Sequence, residues 1–392
     1  MRSTAPMGTR VVVAMSGGVD SAVTAALLQE EGYEVIGVTL KLWGDVTEAP
    51  AAYRPRSCCT PETLDDARLM AAHLGIPHYI LNAEREFEAQ VITPFCREYV
   101  EGRTPLPCAV CNTEVKFGSL LRRALAWGAA FIATGHYART ILDPATGRVL
   151  LKRGADLEKD QTYFLYGLTQ TQLQRTLFPL GTMRKVEVRA VAAQRGLRVA
   201  NKPDSQELCF LPTGDYRGLL RERYPEAIRP GAIRDRAGQV LGAHEGVPLY
   251  TIGQRRGLKM GGRGPYYVVG LDPRLNEVTV GREEELQADA LMAERVNFIP
   301  FETLTEGRPV LATIRYRHPP AEAVISPIAD GQVLVQFARP VRAITPGQAV
   351  VFYDRRDPDL VVGGGTIREV ICRTLPDSLA SSGARSSLWS RS

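Results

Sequence analysis

No apolar stretch in this 392-residue chain reaches the roughly 18 residues that a membrane-spanning helix needs, so no membrane partner is expected. The opening MRSTAPMGTR lacks the apolar core of a secretory leader and runs straight into a strand pattern, which predicts a chain kept in the reducing cytoplasm. Cysteine is scarce: seven residues, odd in number and irregularly spaced, point to thiols or ligands and away from a disulfide framework. Neither sign of charge dominates. Lys and Arg total 48 against 43 Asp and Glu, and a net charge of +5 permits a polyanionic partner without demanding one. Most of the basic residues are arginine, which suits phosphate contacts. Internal repeats are absent, and so are the Gly-Lys-Ser/Thr of a Walker loop and the G-x-G-x-x-G of dinucleotide folds.

What is present changes character along the chain. From about residue 10 to 140, short apolar runs alternate with helical spacing. RVVVAM, YEVIGVTLKLW, HYILNA and AAFIATGHY are expected strands. SAVTAALLQEEG, TPETLDDARLMAAHLG and VKFGSLLRRALAWG are expected helices, the first stopped at Gly32, the second capped by Thr60, begun at Pro61 and closed by Gly75. Such units argue an α/β, doubly wound parallel sheet with its ligand at the carboxyl ends of the strands. Beyond about Pro230, Gly, Pro and short β-branched runs take over. GAIRDRAGQVLG and YYVVGLDPRLNEVTVG have the form of hairpins, and the stretch from Ala312 to Tyr353 is strand after strand, as in a small barrel. The expected parse is an α/β domain at 1–220, a small central β module at 221–288 and a C-terminal β-barrel at 289–373. A Ser-rich disordered tail would follow at 374–392.

Between the first strand and first helix lies SGGVDS, Ser16 to Ser21. Two glycines let the backbone approach a phosphate and aim N–H groups at it, the helix N-terminus adds its dipole, and Ser16 and Ser21 offer hydroxyls. Asp20 is an odd neighbour for a phosphate unless it helps hold magnesium. The bland alternative is a glycine turn into a capped helix. The loop resembles the SGGxDS signature of the PP-loop ATP pyrophosphatases, which bind ATP, transfer AMP to a substrate oxygen and release pyrophosphate.

TPLPCAVCNTEVKF, Thr104 to Phe117, sets Cys108 and Cys111 three apart in an expected proline-held loop before a helix. That spacing suits zinc, but a structural zinc site needs a second local pair, and Cys58, Cys59, Cys96, Cys209 and Cys372 supply none cleanly. A thioredoxin-like site would lack these prolines and the nucleotide loop. Cys58 and Cys59 are adjacent and match no catalytic role, while Cys96 and Cys372 are expected in packing.

Taken together, AMSGGVDS, CNTEVKF, FIATGHYAR, KDQTYFLY, DSQELCF, TIGQRRGL, IRYRH and TPGQAVVFY resemble, in order and over residues 10 to 372, the tRNA-specific 2-thiouridylase family. The resemblance implies an ATP-dependent sulfurtransferase acting on the anticodon arm, with Mg2+ and a sulfur-donor protein or persulfide relay. The wobble uridine's 2-oxygen would be adenylated and then replaced by sulfur. Carried to matching positions, Cys209 accepts sulfur as a persulfide and Cys111 is its partnering nucleophile, ending in a Cys111–Cys209 disulfide. Nucleotide contacts are implied for Ala14, Met15, Ser16, Gly17, Gly18, Val19, Asp20, Ser21, Leu40 and Gly135. RNA contacts are implied for Pro107, His136, Lys159, Asp160, Gln161, Arg315, Tyr316 and Gln348.

The chain departs from the family at Cys108, where an aspartate is common. Three thiols, Cys108, Cys111 and Cys209, allow an alternative in which a [4Fe–4S] cluster delivers sulfide. Other readings stay open beside these. His136 and Leu40 could be plain core, KDQ at 159–161 a solvated turn, and the basic loop GQRRGLKMGGRG a mobile one. Arg315 and Tyr316 would offer a phosphate fork and a stacking ring on a barrel strand. Gln348 either bonds a base or stands exposed on a type II turn. A PP-loop amidotransferase or ligase without RNA, and an RNA-binding zinc protein, are the rival classes.

Overall fold

In the computed structural model, residues 6–42, 61–203, 208–211, 214–258, 260 and 265–371 are described. The Thr60 cap, Cys58, Cys59, Cys372, the Ser-rich tail, the DSQE of DSQELCF and much of the GQRRGLKMGGRG glycine run lie outside them.

Three consecutive valines explain the central layer. Strand β1, Arg10–Ala14, buries Val11, Val12 and Val13 completely, because alternate side chains point into two different cores. Val11 and Val13 join helix α1 (Val19–Glu30), helix α2 (Pro61–Leu74) and the helix Lys185–Gln194; Val12 joins Phe117, Leu120 and Leu121 on the opposite face. Each such side chain contributes about 1.5–3 kcal/mol on burial. The parallel sheet places β3 (His78–Asn82), β2 (Glu34–Lys41), β1, β4 (Phe131–Ala133) and β7 (Thr176–Leu177) side by side, with helices on both faces. A hairpin of β5 (Ala138–Leu142) and β6 (Val149–Arg153) stands apart from it. Gly32 and Gly75 end α1 and α2 at positive φ, +86° and +68°, the conformation that terminates a helix most cheaply in glycine.

The two sequence hairpins form one four-stranded sheet. Strands β8 (Gly231–Arg234) and β9 (Val240–His244) are antiparallel, as are β10 (Tyr267–Asp272) and β11 (Glu277–Gly281), and β11 lies parallel to β8. The six strands β12 (Gln287–Phe298), β13 (Arg308–Thr313), β14 (Ala321–Pro327), β15 (Val333–Arg342), β16 (Ala349–Asp354) and β17 (Val361–Ile371) close a barrel. Closure removes the exposed strand edges that an open sheet would carry.

The barrel is tied to the α/β domain. Ile299, Ala349, Val351, Tyr353 and Val361 share one core with Phe117, Tyr163 and Leu165. The Tyr163 hydroxyl donates to the Ala349 carbonyl at 2.9 Å, and Asn297 Nδ2 donates to the carbonyls of Tyr166 and Leu168. Among the described residues no helix is long and apolar enough to cross a membrane.

Candidate active site

The loop between β1 and α1 is shaped by its glycines. Gly17 has φ +66°, and a side chain there would overlap the Thr63 carbonyl of α2. The Ser16 N–H donates to Ser21 Oγ at 3.2 Å, and Ser21 Oγ donates to the Gly18 carbonyl at 3.1 Å. Gly18 caps α1 with extended backbone and no side-chain bond, so the first N–H groups of the helix keep no capping side chain. An anion at this end meets backbone donors and the positive end of the helix dipole. Ala14, Met15 and Val19 frame the loop; the Met15 N–H donates to the Val38 carbonyl, and its carbonyl accepts from Thr39 Oγ1.

Asp20 differs from the expectation of a magnesium ligand. Lys185 Nζ donates to both of its carboxylate oxygens, at 2.8 and 2.7 Å, and the Tyr137 hydroxyl donates to one at 2.8 Å. Its oxygens are thus committed to a nearly buried lysine, which suits orienting a cation at the loop better than holding a metal ion. A second lysine, Lys202, donates to the Gly17 carbonyl at 2.9 Å and pairs with Asp66 at 2.7 Å. Neither lysine is legible in the sequence, because each lies far along the chain on an element that only the fold brings to the loop. The one signal for Lys185 was its place at the start of a short amphipathic helix.

Gly135 and His136 follow β4. At Gly135 a Cβ would stand 2.8 Å from Asp20 Cβ and 3.0 Å from Ser21 N, so glycine is needed for this backbone to rest on the first turn of α1. His136 bonds Thr134 Oγ1 through Nδ1 at 2.7 Å and packs between Phe117 and Phe178. Burial, with the Lys116 charge adding to it, holds its pKa well below the usual histidine value, so the ring is neutral. Leu40, half-buried near the end of β2, packs against the sheet core and against the cluster that contains the cysteines.

Cys108 and Cys111 stand inside a helix, where the sequence suggested a loop. Pro107–Val110 is its first turn, Cys111–Leu120 is π-helical, and Leu121–Ala126 returns to α. Proline at the first helical position lacks only an N–H that has no intrahelical partner, so TPLPC starts the helix early. The wide π turn is held from outside: Asn112 Nδ2 donates to the Phe164 carbonyl and Gln172 Nε2 to the Thr113 carbonyl. Cys111 is buried, and Cys108 and Cys209 are half-buried. Although remote in sequence, Cys111 and Cys209 join one apolar cluster with Leu42, Phe87, Phe95, Phe210 and Leu40. Cys96 lies in that cluster too, and burial pushes its thiol up to about 11, which keeps it protonated and inert near neutrality. Among the described residues no three His, Cys, Asp or Glu side chains converge as a metal site.

The residues expected at RNA fall into two groups. Lys159, Asp160 and Tyr316 line a cleft of about 540 Å³ between the α/β domain and the barrel, with Arg153, Arg317 and His318. Arg315 and Tyr316 sit in the turn after β13, off the strand itself, with the Tyr316 ring 4.6 Å from that of Phe164. Asp160 is turned inward: it accepts from the N–H groups of Gly154 and Thr162 and from Thr162 Oγ1. Burial raises its pKa against the pull of those bonds. Gln161 accepts from the Tyr137 N–H at 3.1 Å, so both residues shape the turn that presents Lys159. Pro107 and Gln348 lie apart from this cleft. Gln348 is half-buried, and its Nε2 donates to the Thr104 and Pro105 carbonyls at 3.0 and 3.1 Å, unlike an exposed turn residue.

Three family models match in succession: the tRNA methyl transferase HUP domain over 9–213, the tRNA methyl transferase PRC-barrel domain over 217–282, and the aminomethyltransferase beta-barrel domain over 288–367. The tRNA-specific 2-thiouridylase MnmA of Heliobacterium modesticaldum is 52% identical over 373 residues, covering 95% of each chain. That of Moorella thermoacetica is 52% identical over 359 residues, 92% of this chain and 99% of its own. The chain belongs to the tRNA-specific 2-thiouridylase family. A solved 4-thiouridine synthetase–RNA complex with bound ATP aligns with 56% of this chain and 51% of its own at a TM-score of 0.32 and 15% identity.

For a 2-thiouridylase, the models' methyl-transfer descriptions and the relatives' names speak of different chemistries. Membership follows the relatives, which match from end to end at half identity, where each model describes one segment.

Proposed function

We infer that this chain is an ATP-dependent tRNA sulfurtransferase that replaces the 2-oxygen of the wobble uridine with sulfur. The observation that carries the reading is the apolar cluster joining Cys111, Cys209 and Leu40 at the same strand ends that carry the phosphate loop.

In the proposed sequence, MgATP binds with its phosphates on the Ser16–Ser21 loop and its adenine toward Leu40 and Gly135. The uridine 2-oxygen attacks the α-phosphorus, the bond to the β-phosphate breaks, and pyrophosphate leaves with the electron pair. Lys185 and Lys202 supply positive charge where that negative charge develops. The adenylated C2 is then attacked by the terminal sulfur of a persulfide on Cys209, and AMP departs. The Cys111 thiolate attacks the inner sulfur of Cys209, the old S–S bond breaks, and its electrons remain with the uridine sulfur as C2=S. A Cys111–Cys209 disulfide results, and an external dithiol reduces it by two electrons. Apolar surroundings exclude the water that would hydrolyse the adenylate.

The cleft at Lys159 and Tyr316 suits RNA, since a lysine and arginines can meet phosphates while the exposed part of an aromatic ring stacks on a base. We assign it to the anticodon arm. The sulfur enters from a protein persulfide relay.

The test is thiolation of unmodified tRNA with ATP and a persulfide donor, comparing wild type with Cys111→Ser and Cys209→Ser. Loss in both is expected, with pyrophosphate release retained. Normal thiolation by either variant would overturn the assignment of the two thiols.

A further inference from the structure

The cysteine helix does not hold its own beginning. Leu106, its N-terminal flank, has φ −114° and ψ 79° and makes no side-chain capping bond, and Pro107 brings no N–H. What precedes it is instead fastened to the barrel. The Thr104 N–H donates to the Pro346 carbonyl at 2.8 Å, and Gln348 Nε2 bridges the carbonyls of Thr104 and Pro105. Gly347 lies against the same residue: it has φ +90°, and a Cβ there would stand 2.8 Å from Thr104 N. The anchor is itself rigid, because the Gly347 N–H donates to Ile367 and the Ile367 N–H donates back to the Gln348 carbonyl, both at 2.8 Å. An ion pair adds to the fastening: Arg295 of β12 reaches Glu98 at 3.5 Å, and Glu98 also holds Arg103 at 2.7 Å.

We propose that the barrel turn Pro346–Gln348 is a clamp that sets the position of Cys108 and Cys111, with Gln348 a positioning residue for the sulfur chemistry and not a reader of bases. Both hydrogens of its amide are given to main-chain carbonyls of one short loop. Cys108 lies three residues beyond Pro105, so freedom at Thr104 or Pro105 is transmitted to the thiols with little intervening chain to absorb it. The C-terminal barrel thereby enters the reaction twice: its β13 turn faces the RNA cleft, and its β15–β16 turn fixes the helix that carries the nucleophile. Small misplacements of a nucleophile are costly, about 10²-fold for 1 Å.

This inference rests on the sulfurtransferase reading only where it concerns turnover. The deciding measurement is hydrogen–deuterium exchange on the full-length chain without RNA, comparing wild type, Gln348→Ala and Gln348→Glu. Amides between Thr104 and Cys111 are expected to exchange about tenfold faster in Gln348→Ala, with β16 and β17 unchanged. Gln348→Glu, which sets a carboxylate against two carbonyls, should exchange faster still. In thiolation assays kcat should fall while the KM for tRNA stays within about twofold. Unchanged exchange with a raised KM would make Gln348 an RNA contact and overturn the clamp; faster exchange throughout β16 and β17 would make it a general barrel residue and overturn it equally. If wild type fails to thiolate tRNA, the sulfurtransferase reading falls while the exchange result still decides the clamp.

Discussion

The SGGVDS loop and the cysteine cluster, to which we assign the phosphate and sulfur chemistry, meet at the carboxyl edge of one sheet and are built in opposite ways. The loop is local: six consecutive residues, one glycine at positive φ and one helix N-terminus hold its shape. The sulfur site is non-local: Cys111 comes from a π turn braced by Asn112 and Gln172, and Cys209 arrives on a distant segment through shared apolar burial. A local site is damaged by changes within it or in what packs directly on it, as Gly135 does. A non-local site is also damaged from far away, through whatever holds its parts together.

The largest effect should fall on the sulfur side alone. Cys111→Ser or Cys209→Ser is expected to lower thiolation by at least about 10³-fold, since a hydroxyl can neither carry persulfide sulfur at position 209 nor, from position 111, displace it. ATP affinity measured by calorimetry should be unchanged. A parallel loss of ATP binding would mean the two sites are not separable.

Gly135→Ala should do the reverse. The added Cβ meets Asp20 and Ser21 at 2.8–3.0 Å, so the first turn of α1 must move. Adenylation, read as pyrophosphate release, should fall about 10²-fold. The rate of Cys111 alkylation by iodoacetamide should not change.

Lys185→Met tests the charge beneath the loop. The pair with Asp20 is largely shielded from water on the lysine side and only partly on the other. Leaving that carboxylate without its lysine is expected to cost about 2 kcal/mol of stability, below the range for fully buried pairs, as well as adenylation. Lys185→Arg should recover much of the stability, and equal damage by both would argue for shape over charge.

A smaller effect concerns pH. His136 is kept neutral by burial, so the unfolded chain binds a proton there more readily than the folded one. Its contribution is present above the ordinary histidine value near 6.5 and is lost as pH falls below it, by at most about 1.4 kcal/mol per pH unit. In His136→Gln the denaturation midpoint should depend less steeply on pH between about 6.5 and 5, the slope contributed by this one group being removed. The smallest effect is expected at Cys96, whose protonated, buried thiol should leave thiolation unaltered as Cys96→Ala and resist alkylation at neutral pH.

Legibility followed the same division. RVVVAM and YEVIGVTLKLW are strands, and Gly32 and Gly75 end their helices, because short-range periodicity and glycine conformation express local physics. The hairpins and the run of barrel strands were visible for the same reason. TPLPC was misjudged as a loop, since two prolines usually signal one, and the bracing that makes a helix of it comes from Phe164, Gln172 and the barrel. IRYRH, expected on a strand, turns after Thr313, and the Asp20 carboxylate, offered to magnesium, faces a lysine.

The sequence by itself determined the alternation of strands and helices in the first half, the SGGVDS turn between the first strand and first helix, and the run of barrel strands. These depend on residues within a few positions of one another. Only the tertiary structure decided that Lys185 and Lys202 flank the loop, that Cys111 and Cys209 share an apolar cluster, and that Gln348 grips the approach to the cysteine helix. Each of those joins residues from separate elements, and the desolvation and hydrogen bonding that make them meet exist only once the layers have packed.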